Sequence, residues 1–209
     1  MINNVKTDFD WMIDDARARV LEAILPDVMF DGWSEDVLLR AITNSGVPEA
    51  NAKLAFPRGL IDVVSEFHKS ADREFVGELP NRIALMTSIG QKIKTAVMLR
   101  FEIAGRNKDA VRRAAAYFAL PHHAVTGTQL LWGTVDQIWQ SIGVEDKGVT
   151  YYTRRGSLAA IYSATLMFWL QDESDDLSAA ADFLDRRLAD QMRFGKITSA
   201  IKSPFQKKN

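Results

Sequence analysis

The chain has no cysteine among its 209 residues. Disulfides, thiol nucleophiles and thiolate metal sites are therefore excluded, and a reducing compartment suits the composition. Strand-like alternation is nearly absent, and the few prolines and glycines fall at places that suit helix ends, so an all-α protein is expected. The charge carries no excess of one sign: 26 Lys and Arg stand against 27 Asp and Glu. Whole-molecule attraction to nucleic acid or anionic lipid is thereby excluded, and any such affinity has to come from a local patch. No apolar run reaches the roughly 20 residues that span a bilayer. The N-terminal MINNVKTDFDW carries neither a basic segment followed by an apolar one nor an Arg- and Ser-rich leader, so no targeting segment is expected. GxSxG, P-loop and dinucleotide-binding fingerprints are missing, which argues against the common catalytic classes.

What is present is helical periodicity. The most apolar stretch is Leu158 to Leu170, where Leu158, Ile161, Tyr162, Thr165, Leu166 and Trp169 keep the i, i+3, i+4 spacing. Ala159, Ala160, Met167, Phe168 and Leu170 fill its other faces, so a central helix buried all round is expected. The preceding Tyr151-Tyr152-Thr153-Arg154-Arg155 reads as a polar-aromatic collar at a helix start.

Along the chain, helices are expected at about 8–25, ended by Pro26, and from Ser34, a good N-cap, to the Asn44-Ser45-Gly46 stop. Others follow at 48–54, from 57 past Phe67 with a break at Leu79-Pro80, and at 82–104 with Gly90 as a possible kink. The last are expected at 109–120, 125–142, 158–170 and 177–192. Three parts are expected: 1–56, a helix-turn-helix-like N-terminal subdomain; 57–195, a helical ligand-binding and dimerisation core; and 196–209, a basic tail. From Arg186 onward cations outnumber the single Asp190, and Phe194, Ile197 and Ile201 share a face if the tail is helical, with Lys196 and Lys202 beside them. Such a segment reads either as a short membrane-contacting amphipath or as a frayed, solvated terminus.

Two helices around Gly46, SGV-P then LAF-P, resemble the DNA-binding end of a TetR-type regulator. Reading DNA needs cations for phosphates. From Ser34 to Leu60, Arg40, Lys53 and Arg58 are balanced by Glu35, Asp36 and Glu49, and the second helix offers only Asn51 and Lys53. The shape without the charge points to a scaffold that does not bind nucleic acid, with a TetR-type regulator binding DNA and a hydrophobic ligand as the alternative. The histidines are His68, His122 and His123; neither of the adjacent His122 and His123 has a carboxylate at i+3 or i+4, the spacing that places two metal ligands on one helix face, and no metal is expected. Asp14-Asp15 and Asp175-Asp176 read as solvated faces, and no catalytic residue is assigned.

The aromatic residues concentrate in the second half. Trp132, Trp139, Tyr162, Phe168, Trp169 and Phe183, with the small residues Ala159, Ala160, Ser163 and Ala164, fit either a filled core or the walls of an elongated apolar cavity.

The run DQIWQSIG, YYTRRGSLAAIYSATL, QDES and FLDRRLADQM, together with GWSEDVLLRAI and AFPRGLIDVVSEFH earlier, resembles the Coq-nine family of ubiquinone-biosynthesis accessory proteins over nearly the whole chain. The resemblance implies a TetR-like helical fold, usually a homodimer, without DNA binding and without catalysis. It implies a cavity holding an isoprenoid lipid or phospholipid in place of a cofactor. The lining expected is Val97, Phe101, Leu131, Trp132, Val135, Ile138, Trp139, Leu158, Ile161, Tyr162, Thr165, Leu166, Trp169 and Phe183. It further implies presentation of a polyprenyl quinone intermediate to the demethoxyubiquinone hydroxylase, through Asp136, Gln140, Tyr151, Tyr152 and Arg155. Here Tyr151-Tyr152 stands where relatives often have Trp-Tyr, Gln140 where they have His, and Gly143-Val144 where they have Gly-Asp. A cytoplasmic protein peripheral to the inner membrane is expected, with Phe194, Lys196, Ile197, Ile201 and Lys202 as the membrane contact.

Overall fold

The structure, a computed structural model, describes the backbone of residues 8–174 and 176–202 and the side chains of 13–174 and 176–191. Every regular element among the described residues is an α-helix: α1 Asp8–Asp31, α2 Glu35–Ser45, α3 Glu49–Ala55, α4 Leu60–Ile83, α5 Ile89–Gly105, α6 Lys108–Ala119, α7 Ala124–Ser141, α8 Val149–Gln171 and α9 Ser178–Lys202. The all-α class expected from the sequence is what the fold shows.

The helices form two compact units. The first takes the described residues up to Arg73 together with Ala104–Leu130; the second takes Glu74–Ile103 with the described residues from Leu131 onward. In the first, α1 packs on α2, α3 and α6. Val20, Ile24 and Val28 of α1 are enclosed with Val37, Leu38 and Ala41 of α2 and Val63 and Val64 of α4. Each such aliphatic side chain removed from water contributes roughly 1.5–3 kcal/mol. Trp33 packs its ring against Phe67, 5.4 Å between centroids, and donates its indole N–H to the Ala110 carbonyl at 3.1 Å. In the second unit α9 packs on α8.

Local signals set several ends as expected. The Ser34 hydroxyl accepts from the Val37 amide at 3.3 Å, and Gly46 closes α2 at φ 67°, a left-handed conformation that glycine takes without steric cost. Two proline stops did not hold. Pro26 lies inside α1, which continues to Asp31, and Pro80 lies inside α4, which continues to Ile83. An interior proline costs a helix about 3 kcal/mol. Val28 beyond the first, and Leu79 and Ile83 around the second, are buried, and that burial offsets the loss. As a result α5 begins at Ile89 rather than at 82, and Gly90 sits in its first turn rather than at a kink.

The expectation for α8 is also corrected. It begins at Val149, so the Tyr151–Arg155 collar is its first turns rather than a lead-in. Nor is it buried all round: Arg155, Leu158, Tyr162, Thr165, Trp169 and Leu170 are enclosed, while Gly156, Ala160, Ala164 and Met167 lie on an exposed face. Small residues at that spacing keep a helix slim on one side, and hydrophobicity alone does not say whether that side is covered. The backbone of α9 is helical through 196–202; the side chains of Phe194, Lys196, Ile197, Ile201 and Lys202 lie outside the described residues, so the membrane-contact expectation stands there untouched.

Candidate functional site

The second unit holds the residues singled out from the sequence. Asp136 of α7 and the pair Tyr151 and Arg155, one turn apart on α8, converge on one carboxylate. Tyr151 donates its hydroxyl to Asp136 Oδ1 at 3.0 Å, Arg155 Nε donates to the same oxygen at 2.5 Å, and Gln140 Nε2 donates to Oδ2 at 2.7 Å. The Arg155 guanidinium also lies 3.5 Å from the centroid of the Tyr151 ring, a cation–π contact. Asp146, in the connection between α7 and α8, pairs with Arg154 at 2.7 Å and approaches Arg155 at 4.0 Å.

Arg155 is 2% exposed. It is therefore not displayed to a partner, and its assignment as a contact residue is corrected: it fastens α7 to α8 from within. Buried charges persist only when paired and hydrogen-bonded, which the Asp136 carboxylate provides. The i, i+4 spacing of Tyr151 and Arg155 carried the information, since it places both on one helix face. Tyr151 is half-buried by the same network. Tyr152, in contrast, is 65% exposed, and its ring sits 5.1 Å from that of Tyr151 and 6.4 Å from that of Trp132. Gln140 is exposed beside Asp136. The displayed surface is thus Tyr152, Trp132 and Gln140, backed by a buried ion pair.

The expected cavity walls divide. Phe101, Tyr162 and Trp169 form a ring cluster: Phe101 stacks on Trp169 at 5.4 Å and meets Tyr162 edge-on at 5.2 Å. Phe168 stacks on Phe183 at 4.7 Å. Val97, Val135, Ile138 and Thr165 are fully enclosed, and the Thr165 hydroxyl is spent on the Ile161 carbonyl at 2.8 Å. Leu131, Ile161 and Leu166 are partly buried.

Only Trp139 and Leu158 of the expected lining face a cleft of about 720 Å³ that opens elsewhere in the unit. Its other walls are the start of α5 (Ser88, Ile89, Gly90, Gln91, Ile93, Lys94), Arg154 of α8 and Asp185, Leu188, Ala189 and Gln191 of α9. Lys94 crosses to Asp185 at 2.6 Å, tying α5 to α9 over the cleft. Arg154 lies 5.7 Å over the Trp139 ring. Trp139 Nε1 is buried without an acceptor, a condition that costs about 1–3 kcal/mol. A volume of this size falls within the range of ligand pockets. Ile89, Lys94, Arg154, Asp185 and Leu188 were missed from the sequence. Their convergence depends on where α5 starts, and a start near 82 hid it.

In the first unit the helix-turn-helix outline is real, but its cations are committed. Arg40 binds Asp27 and Asp31, Lys53 binds Glu49 at 2.7 Å, and Arg58 binds Asp62 at 2.6 Å. Side-chain hydrogen bonds to Asp27 and Asp31 push the Arg40 guanidinium above its ordinary value. Each cation of this element thus has a carboxylate beside it, so the element presents no net positive charge to a phosphate. Among the described residues no group of three or more His, Asp or Glu side chains is placed to hold a metal ion, and no helix is long and apolar enough to cross a membrane.

The fold is TetR-like. A solved structure described as the TetR transcriptional regulator from Nitrosomonas europaea ATCC 19718 shares the fold with a TM-score of 0.66 at 17% identity, over 83% of this chain and 95% of that one. Residues 124–195 match the family described as COQ9. Human ubiquinone biosynthesis protein COQ9, mitochondrial, is 28% identical over 193 residues, 88% of this chain and 60% of its own length. The Drosophila melanogaster protein of the same description is 28% identical over 195 residues, 90% of this chain and 58% of its own. A probable COQ9 of Dictyostelium discoideum is 23% identical over 193 residues, 90% and 63%. These matches bear out the resemblance to the Coq-nine family; the chain spans about three-fifths of the length of the relatives it matches.

Proposed function

We propose that this protein is a non-catalytic accessory factor of ubiquinone biosynthesis that carries an isoprenoid lipid, a polyprenyl quinone intermediate or a phospholipid, and presents it to a hydroxylase at the membrane. Similarity to COQ9 proteins over most of the chain supports the pathway. The observation that carries the lipid-binding reading is the 720 Å³ cleft walled by Ile89, Ile93, Trp139, Leu158 and Leu188. A polyprenyl chain is nearly insoluble in water, and moving its apolar surface against such walls is favourable by about 25 cal/mol per Å².

Organic extraction of the protein purified without detergent is expected to yield an isoprenoid or a phospholipid by mass spectrometry. Extracts free of either, from protein kept below the temperature of unfolding, overturn the carrier reading.

The hydroxylase, the demethoxyubiquinone hydroxylase or its equivalent, is assigned to the face of Tyr152, Trp132 and Gln140. Tyr152→Lys is expected to abolish its co-purification and leave the helical circular dichroism unchanged. A second copy of the chain is assigned to the exposed α8 face of Gly156, Ala160, Ala164 and Met167, where small residues allow close helix approach. Ala160→Arg is expected to move the sedimentation coefficient from dimer to monomer. Attachment to the cytoplasmic side of the inner membrane, through the basic end of α9, completes the proposal; vesicle flotation that needs anionic lipid and fades with salt is its test.

A further inference from the structure

The cleft has more charged side chains at its edge than an apolar chain requires, and each already has a partner. Lys94 meets Asp185 at 2.6 Å, and Arg154 meets Asp146 at 2.7 Å. Trp139, which forms part of the wall, keeps an indole N–H without an acceptor in the protein. The cleft is therefore matched in charge while still holding polar groups. An anionic head entering it has to shed its hydration and take a place beside Asp185 as well as Lys94, with no cation free to compensate. An uncharged head that accepts hydrogen bonds loses far less water and meets no like charge.

We propose that Lys94 and Asp185 are specificity-determining residues: by pairing across the cleft they exclude amphiphiles with an anionic head and admit those with an uncharged one. The inference rests on the cleft being the lipid site, and among the cargoes proposed above it selects the isoprenoid, because a phospholipid head carries an ionised phosphate. Both side chains are about half exposed, at 40% and 48%, so the pair stands at the opening rather than in the core. Removing the carboxylate leaves an ammonium at the opening with no partner, and the cleft then gains a place for an anion. The selectivity resides in the pair, not in either residue alone.

Farnesol and farnesoic acid share one skeleton and differ in the charge of the head at pH 7.5. Their affinities for the full chain are measured by quenching of tryptophan fluorescence, in the wild type, in Asp185→Asn and in the double variant Lys94→Gln with Asp185→Asn. The wild type is expected to prefer farnesol. Asp185→Asn is expected to raise the ratio of farnesoate to farnesol affinity about fivefold, the upper end for a half-exposed ion pair. The double variant is expected to restore the preference for farnesol. A ratio that Asp185→Asn leaves within twofold, including a change equal for both ligands, overturns the assignment. Failure of the wild type to bind either ligand overturns instead the reading of the cleft as a lipid site.

Discussion

The helix-turn-helix cations of the first unit and Arg155 of the second sit in opposite settings. In the first, Arg40, Lys53 and Arg58 pair with carboxylates at the surface, where water screens them and the pairing adds little to stability. In the second, Arg155 is taken out of water altogether and held by Asp136, with Tyr151 over its guanidinium. A buried pair of this kind is costly to form and more costly to break, because a lone charge is left behind. The first unit keeps the outline of a nucleic-acid reader with its cations neutralised. The second carries the buried network, the cleft and the exposed aromatic face. Likeness of fold to a regulator therefore says little about activity, which follows from the charges each surface leaves free.

The sharpest way to test the contrast is to break the buried pair. Arg155→Ala removes the buried cation that Asp136 pairs with, leaving the carboxylate to Tyr151 and Gln140, and is expected to cost about 3 kcal/mol in urea unfolding. A loss below about 1 kcal/mol would show that Asp136 regains water and that this pair is worth no more than the surface pairs of Arg40, Lys53 and Arg58.

Steric closeness provides the next effect. A Cβ at Gly127 would lie 2.7 Å from Phe118 Cβ, on the rigid root of that side chain. Gly127→Ala gains helix propensity of about 1 kcal/mol but forces α7 off α6, and overpacking costs about 1–3 kcal/mol. A net loss of about 1 kcal/mol is expected; a gain would mean that the α6–α7 approach yields readily.

Ser34→Ala removes the hydroxyl that accepts from Val37 and is expected to cost about 1 kcal/mol, confined to the first unit. Hydrogen exchange should report it in α2 and leave α8 unchanged.

The smallest effect concerns pH. Burial, reinforced by neighbouring His122, holds His123 below its ordinary 6.5. A depressed histidine binds protons less readily folded than unfolded. Its contribution is full above about pH 6.5 and is lost as pH falls from there through the folded value. His123→Asn is expected to flatten that part of the stability profile, measured by thermal melts between pH 5 and 8.

Much of the architecture was legible locally. Ser34 and Gly46 act through hydrogen bonds and backbone conformations that involve near neighbours in the chain, so their residue types announce the ends of α2. The stripe of Leu158, Tyr162, Thr165 and Trp169 was equally plain, since 3.6-residue periodicity depends on the helix alone. Pro26 and Pro80 misled because a local penalty of a few kcal/mol was set against burial by residues distant in sequence.

The sequence by itself determined that the chain is helical, free of thiol chemistry, balanced in charge and similar to the Coq-nine family. The tertiary structure decided which side of each helix is covered. It put Arg155 inside and Tyr152 outside, although they lie three residues apart on one helix. It left the small-residue face of α8 open, and it brought the start of α5 opposite α9 to form the cleft. Periodicity defines faces, but burial is a property of neighbours, and neighbours are chosen only when the whole chain packs.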